Sequence, residues 1–161
     1  MYSDGEWSHR ENIPGLLGPS QWGKISPVCD AQRQSPINIL PFTARLPSRI
    51  FPFIRVRGGD KIPTAIEYTN DGHGFNARYT FSDGVQPNVT GGPLGSDIYT
   101  LYNAHLHWPS EHAISGRIAA AEIHIVHWNL KYGSLMEAAT RPDGLAVIGV
   151  LLNVRKIVNI A

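Results

Sequence analysis

The sequence predicts a mainly β domain with few helices, built around one large sheet. Several short segments either alternate apolar and polar residues or form apolar runs of strand length. Glycine and proline are plentiful, with 16 and 12 among 161 residues, as expected of a loop-rich β domain. Only one short segment has helical periodicity. At this length we expect a single domain, residues 1–161.

The first forty residues predict an irregular arm. They mix Trp7 and Trp22 with glycines and prolines and show no helical periodicity. We therefore expect an extended segment held by aromatic packing. It ends in a short strand around Ile37 to Leu40.

The middle of the chain predicts a series of strands. "IRVRGG" and "TAIEYTNDGHGFNARYTF" alternate apolar and polar residues, and the "NDGHG" turn makes the second segment a hairpin. "DIYTLYNAHLHW", "AAAEIHIVHWN" and "LAVIGVLLNV" follow, each with the length of a buried strand. These three segments are expected to form the buried part of the sheet.

The single helical signal is "YGSLMEAAT". Leu135, Met136 and Ala139 fall on one stripe, and Pro142 is expected to end the helix. The predicted layout is therefore a sheet with long connections.

Composition excludes two classes of partner. With 14 Lys and Arg against 13 Asp and Glu, and no basic run, the chain is not expected to bind nucleic acid. The longest apolar run, "GLAVIGVLLNV", is well short of the roughly 20 residues that cross a bilayer, so no membrane span is expected.

The N-terminus also lacks the apolar core of a signal peptide.

The sequence leaves the compartment open. Cys29, the only cysteine, and the "NVT" sequon at Asn88 favour an extracellular location, whereas the lack of a signal peptide is compatible with a cytoplasmic one. The oligomeric state is not predicted.

Four of the seven histidines lie in two predicted strands. Alternate residues of a strand share a face, so His105 and His107 point the same way, about 6 to 7 Å apart. In the next apolar strand, Glu122 and His124 share one face and His127 lies on the other. One histidine of this strand is expected to join the pair.

Three imidazoles around an ion with a vacant fourth position are typical of catalytic zinc. An oxygenase iron site normally has a carboxylate among its three ligands, and an electron-transfer copper site normally has a cysteine. A triad of histidines has neither, so zinc is the predicted metal. Glu122, on the face of His124, is suited to fix the tautomer of that imidazole. The competing interpretation of the histidines is a polar network within the core.

The motifs along the chain resemble those of the α-class carbonic anhydrases. The resemblance extends from about Trp7 to Leu152. It implies a large, mixed and mostly antiparallel central sheet, and the reversible hydration of carbon dioxide to bicarbonate. In family order the matching motifs are "GPSQW", "QSPINI", "NDGHGFN", "GGPL", "HLHW", "SEH", "AEIHIVHWN", "YG" and "DGLAVIGV".

The same resemblance implies the metal site. It makes His105, His107 and His124 the zinc ligands and Glu122 the partner of His124. Zinc lowers the pKa of its bound water to about 7, a general value that comes from carbonic anhydrases themselves, and so supplies hydroxide at neutral pH.

Other residues carry roles implied only by the resemblance. Glu111 matches a glutamate that orients the hydroxide through a threonine, and His73 matches a histidine that passes protons to buffer. The apolar wall that receives carbon dioxide is implied to consist of Val126, Leu145 and Val147.

The chain departs from the family pattern at four points. In "EWSH", His9 stands where a pocket tyrosine is usual, which is expected to change the water network near the metal. Only three residues separate His107 from Glu111, a shorter link than usual, which is expected to shift Glu111. Asn103 stands where a glutamine usually bonds the first ligand, so His105 is expected to be held less well.

The fourth departure is the end of the chain, which stops soon after "VIGVLLNV". Compared with the family pattern, the C-terminal part with the threonine is expected to be missing, so we expect an incomplete domain, truncated at the C-terminus, with reduced hydratase activity. The alternatives are a non-catalytic binding module related to carbonic anhydrases, or a truncated product without function.

Overall fold

The structure is a computed structural model that describes residues 7–45, 52–70, 72 and 74–154. His73, the predicted proton carrier, lies outside the described residues. The chain forms two compact units, Met1–Asn38 and Ile39–Ala161. The assignment of residues 1–161 to one domain stays a prediction.

The first unit is the predicted irregular arm. Between residues 7 and 37 its helices are two short 3₁₀ turns, Pro19–Lys24 and Pro27–Asp30, each with proline near its N-terminus, where the missing N–H costs nothing. The rings of Trp7 and Trp22 meet edge to face with centroids 5.6 Å apart. Aromatic packing therefore accompanies the arm, as expected.

One large sheet dominates the second unit. The strands of the described chain are β1 (Asn38–Ile39), β2 (Arg55–Arg57), β3 (Ala65–Asn70), β4 (Phe75–Thr80), β5 (Asn88–Thr90), β6 (Tyr99–His107), β7 (Ala113–Ile114), β8 (Arg117–Ile118), β9 (Ala121–Asn129) and β10 (Leu145–Leu152). The strand order of the large sheet is β10-β9-β6-β4-β3, with β5 beside β6 and β2 beside β5, and its strand pairs are antiparallel. The mainly β fold with a large, mostly antiparallel sheet is confirmed.

The β3–β4 hairpin forms where alternation and turn chemistry predict it. Asn70 at the end of β3 accepts a hydrogen bond on its side-chain oxygen from the Gly72 N–H at 3.0 Å. Gly72 has a φ of 87°, a left-handed conformation that favours glycine. The turn therefore follows directly from the "NDG" sequence.

Strands β6 and β9 form the centre of the sheet, and each has nine residues. Their register pairs His105 with His124 and His107 with Glu122. The register shifts between Leu101 and Asn103, so one irregularity precedes the histidines. Directly paired residues project from the same face, which brings both histidine motifs to one side of the sheet.

The predicted helix is confirmed as α1 (Leu135–Ala139). Ser134 caps it by accepting a hydrogen bond on its side-chain oxygen from the Glu137 N–H at 3.2 Å. Three other short helices were not predicted, and all are single 3₁₀ turns: Pro41–Thr43, Gly92–Leu94 and Leu130–Tyr132.

The short strands β7 and β8 were also not predicted. They form a small hairpin between the two histidine motifs. The Ser115 N–H at its turn donates to the Ile39 carbonyl of β1 at 2.9 Å. Two-residue strands leave too little periodicity to be read from sequence.

The predicted burial of β10 is wrong, although the strand lies where expected. Leu145, Val147 and Val150 are 45, 50 and 41 % exposed. In the described part of the chain β10 pairs with β9 alone, so one side of the strand has no neighbour. An apolar run thus identifies a strand without fixing how deeply it is buried.

No helix among the described residues is both long enough and apolar enough to cross a bilayer.

Candidate metal centre

Three histidines converge on one face of the central sheet. His105 and His107 come from β6 and His124 from β9, and the structure brings one ring nitrogen of each within 4.8 Å of the others. The ring centroids are 4.9 to 5.1 Å apart. All three rings are largely buried.

The orientation of His124 follows from its neighbour Glu122. The His124 Nε2 atom lies 2.8 Å from Glu122 Oε1. An ionised carboxylate only accepts hydrogen bonds, so Nε2 carries the proton and donates it to Glu122. The Nδ1 lone pair is then available to a metal ion, as the sequence argument expects.

Glu122 is the most constrained side chain of the centre, only 1 % exposed. Its carboxylate also accepts hydrogen bonds from the backbone N–H groups of Glu111 (3.0 Å) and His112 (2.8 Å) and from the His112 ring at 2.6 Å. Burial raises the pKa of Glu122, but the bonds from His112 and His124 outweigh it and lower the pKa to about 2. Glu122 is therefore ionised at neutral pH.

Sequence reasoning missed two residues that support Glu122. The "SEH" motif gives no role to His112, yet the ring of this residue donates to the carboxylate. Gly149 of β10 pairs with His124, and a Cβ atom there would lie 2.8 Å from Glu122 Oε1. The signal for His112 was its place next to Glu111 in the motif, whereas Gly149 in an apolar run carried none.

Asn103 has a different partner from the one expected. Its side-chain amide donates to Asn76 Oδ1 of β4 at 3.2 Å. Among the described residues its own Oδ1 is buried without a hydrogen-bond partner. The idea that Asn103 orients His105 stays a prediction.

Glu111 lies directly beside the histidine rings. Its Oε2 atom is 3.3 Å from His107 Nε2 and 3.7 Å from His124 Nδ1. The Glu111 side chain is 20 % exposed, so it lies at the border between the centre and solvent.

The residues predicted to form the apolar wall share the face of His124. Val126 lies two positions along β9, and Val147 pairs with it directly. Leu145 is two positions from Val147 on the same face. The three side chains thus continue the histidine face toward β10, with Leu145 and Val147 about half exposed.

His127 lies on the opposite face, as predicted, and is 4 % exposed. Burial lowers its pKa, although backbone contacts with Ala146 and Ile125 oppose the shift. His127 is therefore a neutral residue of the other side of the sheet and takes no part in the centre.

The donor set suits zinc. Zinc binds imidazole nitrogen at about 2.0 to 2.1 Å, and three neutral imidazoles leave the ion its full charge. One ligand with its tautomer fixed by a buried carboxylate is the usual support for such an ion. His105, His107 and His124 are thus the residues that could hold it.

Comparison with known proteins gives the family. The family model of the eukaryotic-type carbonic anhydrases matches residues 17–160. The chain is also 39 % identical over 142 residues to human carbonic anhydrase 7, a match that covers 84 % of this chain and 52 % of that protein. The chain therefore spans about half the length of this curated relative. These matches show that the chain belongs to the eukaryotic-type carbonic anhydrase family.

Proposed function

We propose that this chain binds zinc through His105, His107 and His124 and catalyses the reversible hydration of carbon dioxide to bicarbonate. The observation that carries the proposal is the convergence of the three ring nitrogens within 4.8 Å of one another. Family membership supports the choice of reaction. Zinc, when bound, supplies a Lewis acid that makes hydroxide available near neutral pH, as is general for carbonic anhydrases.

The residues of the chain orient the reaction. Glu122 holds His124 in the tautomer whose Nδ1 faces the centre. Val126 and Val147 offer an apolar surface on that face to carbon dioxide, which has no charge and gains by leaving water. Ordered hydrogen bonds at Glu122 keep this geometry fixed between turnovers.

Each turnover also releases a proton. Histidine is suited to carry it because its unperturbed pKa of about 6.5 is near physiological pH. We assign this role to His73 on the resemblance alone, since that residue lies outside the described part of the chain.

The proposal includes a reduced rate. The resemblance implies that Glu111 acts through a threonine, but its carboxylate lies 3.3 Å from the His107 ring instead. A carboxylate so close to a ligand ring would compete with solvent at the metal, so we expect slower hydration.

Stopped-flow hydration of carbon dioxide tests the proposal. We expect the zinc-loaded chain to exceed the uncatalysed rate, to lose this activity on chelation and to recover it with zinc. Its rate should be below that of human carbonic anhydrase 7 measured alongside. Equal rates for the zinc-loaded chain and a His105→Ala variant would contradict the proposal.

A further inference from the structure

The Glu111 carboxylate lies beside two of the three histidine rings of the candidate metal centre. Its Oε2 lies beside His107 Nε2 and His124 Nδ1. On His124 this is the ring nitrogen opposite the one that donates to Glu122. The carboxylate therefore lies on the metal side of the ring.

The distances match those between ligands that share an ion. Two donor atoms at about 2.0 to 2.1 Å from a tetrahedral zinc are roughly 3.3 Å apart. Glu111 Oε2 is 3.3 Å from His107 Nε2 and 3.7 Å from His124 Nδ1. The carboxylate oxygen thus lies at or near ligand spacing from two of the three imidazoles.

The backbone holds Glu111 in this place. The N–H groups of Glu111 and His112 both donate to the buried Glu122 carboxylate. Ser110, one residue earlier, is fixed by three hydrogen bonds: its N–H donates to the Ala119 carbonyl, its hydroxyl donates to the His112 carbonyl, and it accepts from the Ala119 N–H. The short link after His107 is therefore hydrogen-bonded to the segment around the start of β9, both before Glu111 and after it.

We propose that Glu111 is a fourth protein ligand of the metal, completing a site of three histidines and one carboxylate. The inference rests on the proposed metal site and concerns which group provides its fourth ligand. Glu111 then occupies the position that a catalytic zinc keeps open for solvent, and its negative charge offsets part of the charge of the ion. The resting site would then bind metal more tightly, and it would hydrate carbon dioxide more slowly because solvent must first replace the carboxylate.

Cobalt substitution tests the proposal without relying on activity. The visible spectrum of Co²⁺ in a site open to solvent changes between about pH 6 and 9, because the solvent ligand ionises. With Glu111 bound, we expect a spectrum that stays constant over this range. The neutral variant Glu111→Gln should become pH-dependent and bind Co²⁺ about tenfold more weakly in chelator competition.

Glu137→Gln is the matched control, since Glu137 is an exposed carboxylate of α1 that pairs with Arg141. It should leave spectrum and affinity unchanged. A pH-dependent wild-type spectrum, with equal affinity in Glu111→Gln, would overturn the inference and leave Glu111 as an ion-pair partner of His107. The wild-type spectrum alone decides the matter if the variant does not fold. Failure of the wild-type chain to bind Co²⁺ at all would instead overturn the metal site and the proposed function with it.

Discussion

Two polar clusters lie along β9, and they differ in the groups that they bring together. The imidazole cluster consists of His105, His107 and His124 with Glu122 behind them. The Asn129 network lies at the end of the strand and consists of Asn129, Asp97, Lys131 and Asp143. Both combine buried and partly exposed groups.

The residues of the Asn129 network form hydrogen bonds and ion pairs with one another. The fully buried Asn129 donates to Asp97 Oδ2 at 2.8 Å and accepts from the Lys131 N–H at 3.2 Å. Lys131 reaches both Asp97 and Asp143, which raise its pKa while it lowers theirs. The Asn129 amide and the Lys131 ammonium both have partners within the chain, so this cluster stabilises the fold without a ligand.

The imidazole cluster is arranged differently. Its three rings each bring one nitrogen within 4.8 Å of the other two, and the carboxylates of Glu111 and Glu122 lie beside them. Three imidazole nitrogens within 4.8 Å of one another form a donor set that suits zinc. The comparison separates a cluster joined by an ion pair of the chain from one whose donor atoms suit a metal ion.

The largest expected effect is on metal binding. Replacing His105 by Ala should lower zinc affinity by several orders of magnitude, because one of three ligands is lost. Wild-type protein with zinc at 100 times its Kd should gain about 2.7 kcal/mol in free energy of unfolding, and the variant should gain nothing at that concentration. Thermal and urea melts with and without zinc measure this.

His127→Ala is the matched control, since His127 is a buried histidine on the other face of β9. It should lower stability in both conditions and keep the zinc-dependent gain. A similar loss of that gain in both variants would show that folding, rather than ligation, is affected.

Glu122→Gln should have the next largest effect. The amide no longer fixes the tautomer of His124, so zinc affinity is expected to fall about 10- to 100-fold. Chelator competition measures the affinity. An unchanged value would mean that the Glu122 carboxylate serves only the loop backbone at Glu111 and His112.

Asn129→Ala should affect the other cluster alone. It removes the hydrogen bonds that the buried Asn129 amide donates to Asp97 and to the Asp143 carbonyl, which costs roughly 1 to 3 kcal/mol in the free energy of unfolding. Zinc affinity per folded molecule should not change. A parallel loss of affinity would show that the two clusters are coupled through β9.

The smallest effect is a pH dependence due to His127. Its pKa is lowered in the folded chain, so the unfolded chain binds the proton more readily. The stability due to neutral His127 is present above about pH 6.5 and is lost as pH falls through the lowered pKa. Urea melts of the wild type and His127→Leu, both with chelator, should diverge in slope below about pH 6.5, and parallel curves would contradict the assignment.

Sequence alone predicted the parts of the molecule that depend on local pattern. Strand alternation and the "NDG" turn gave the β3–β4 hairpin, and period-two spacing gave the shared face of His105 and His107. The same rule separated His124 from His127. These features follow from strand geometry, which a sequence carries directly.

Features set by long-range packing could not be predicted in this way. The exposure of β10 depends on what lies beside it, and the role of Gly149 depends on a carboxylate of the neighbouring strand. The short link after His107 was visible in the sequence. Where it brings the Glu111 carboxylate is set by hydrogen bonds to Glu122 and Ala119.

The most direct test of the central claim is the zinc content of the purified chain. After dialysis against limiting zinc, elemental analysis should find one zinc per molecule in the wild type and none above background in a variant with His105, His107 and His124 all replaced by Ala. Equal zinc in both proteins, or none in the folded wild type, would contradict the claim that these three imidazoles form the metal site.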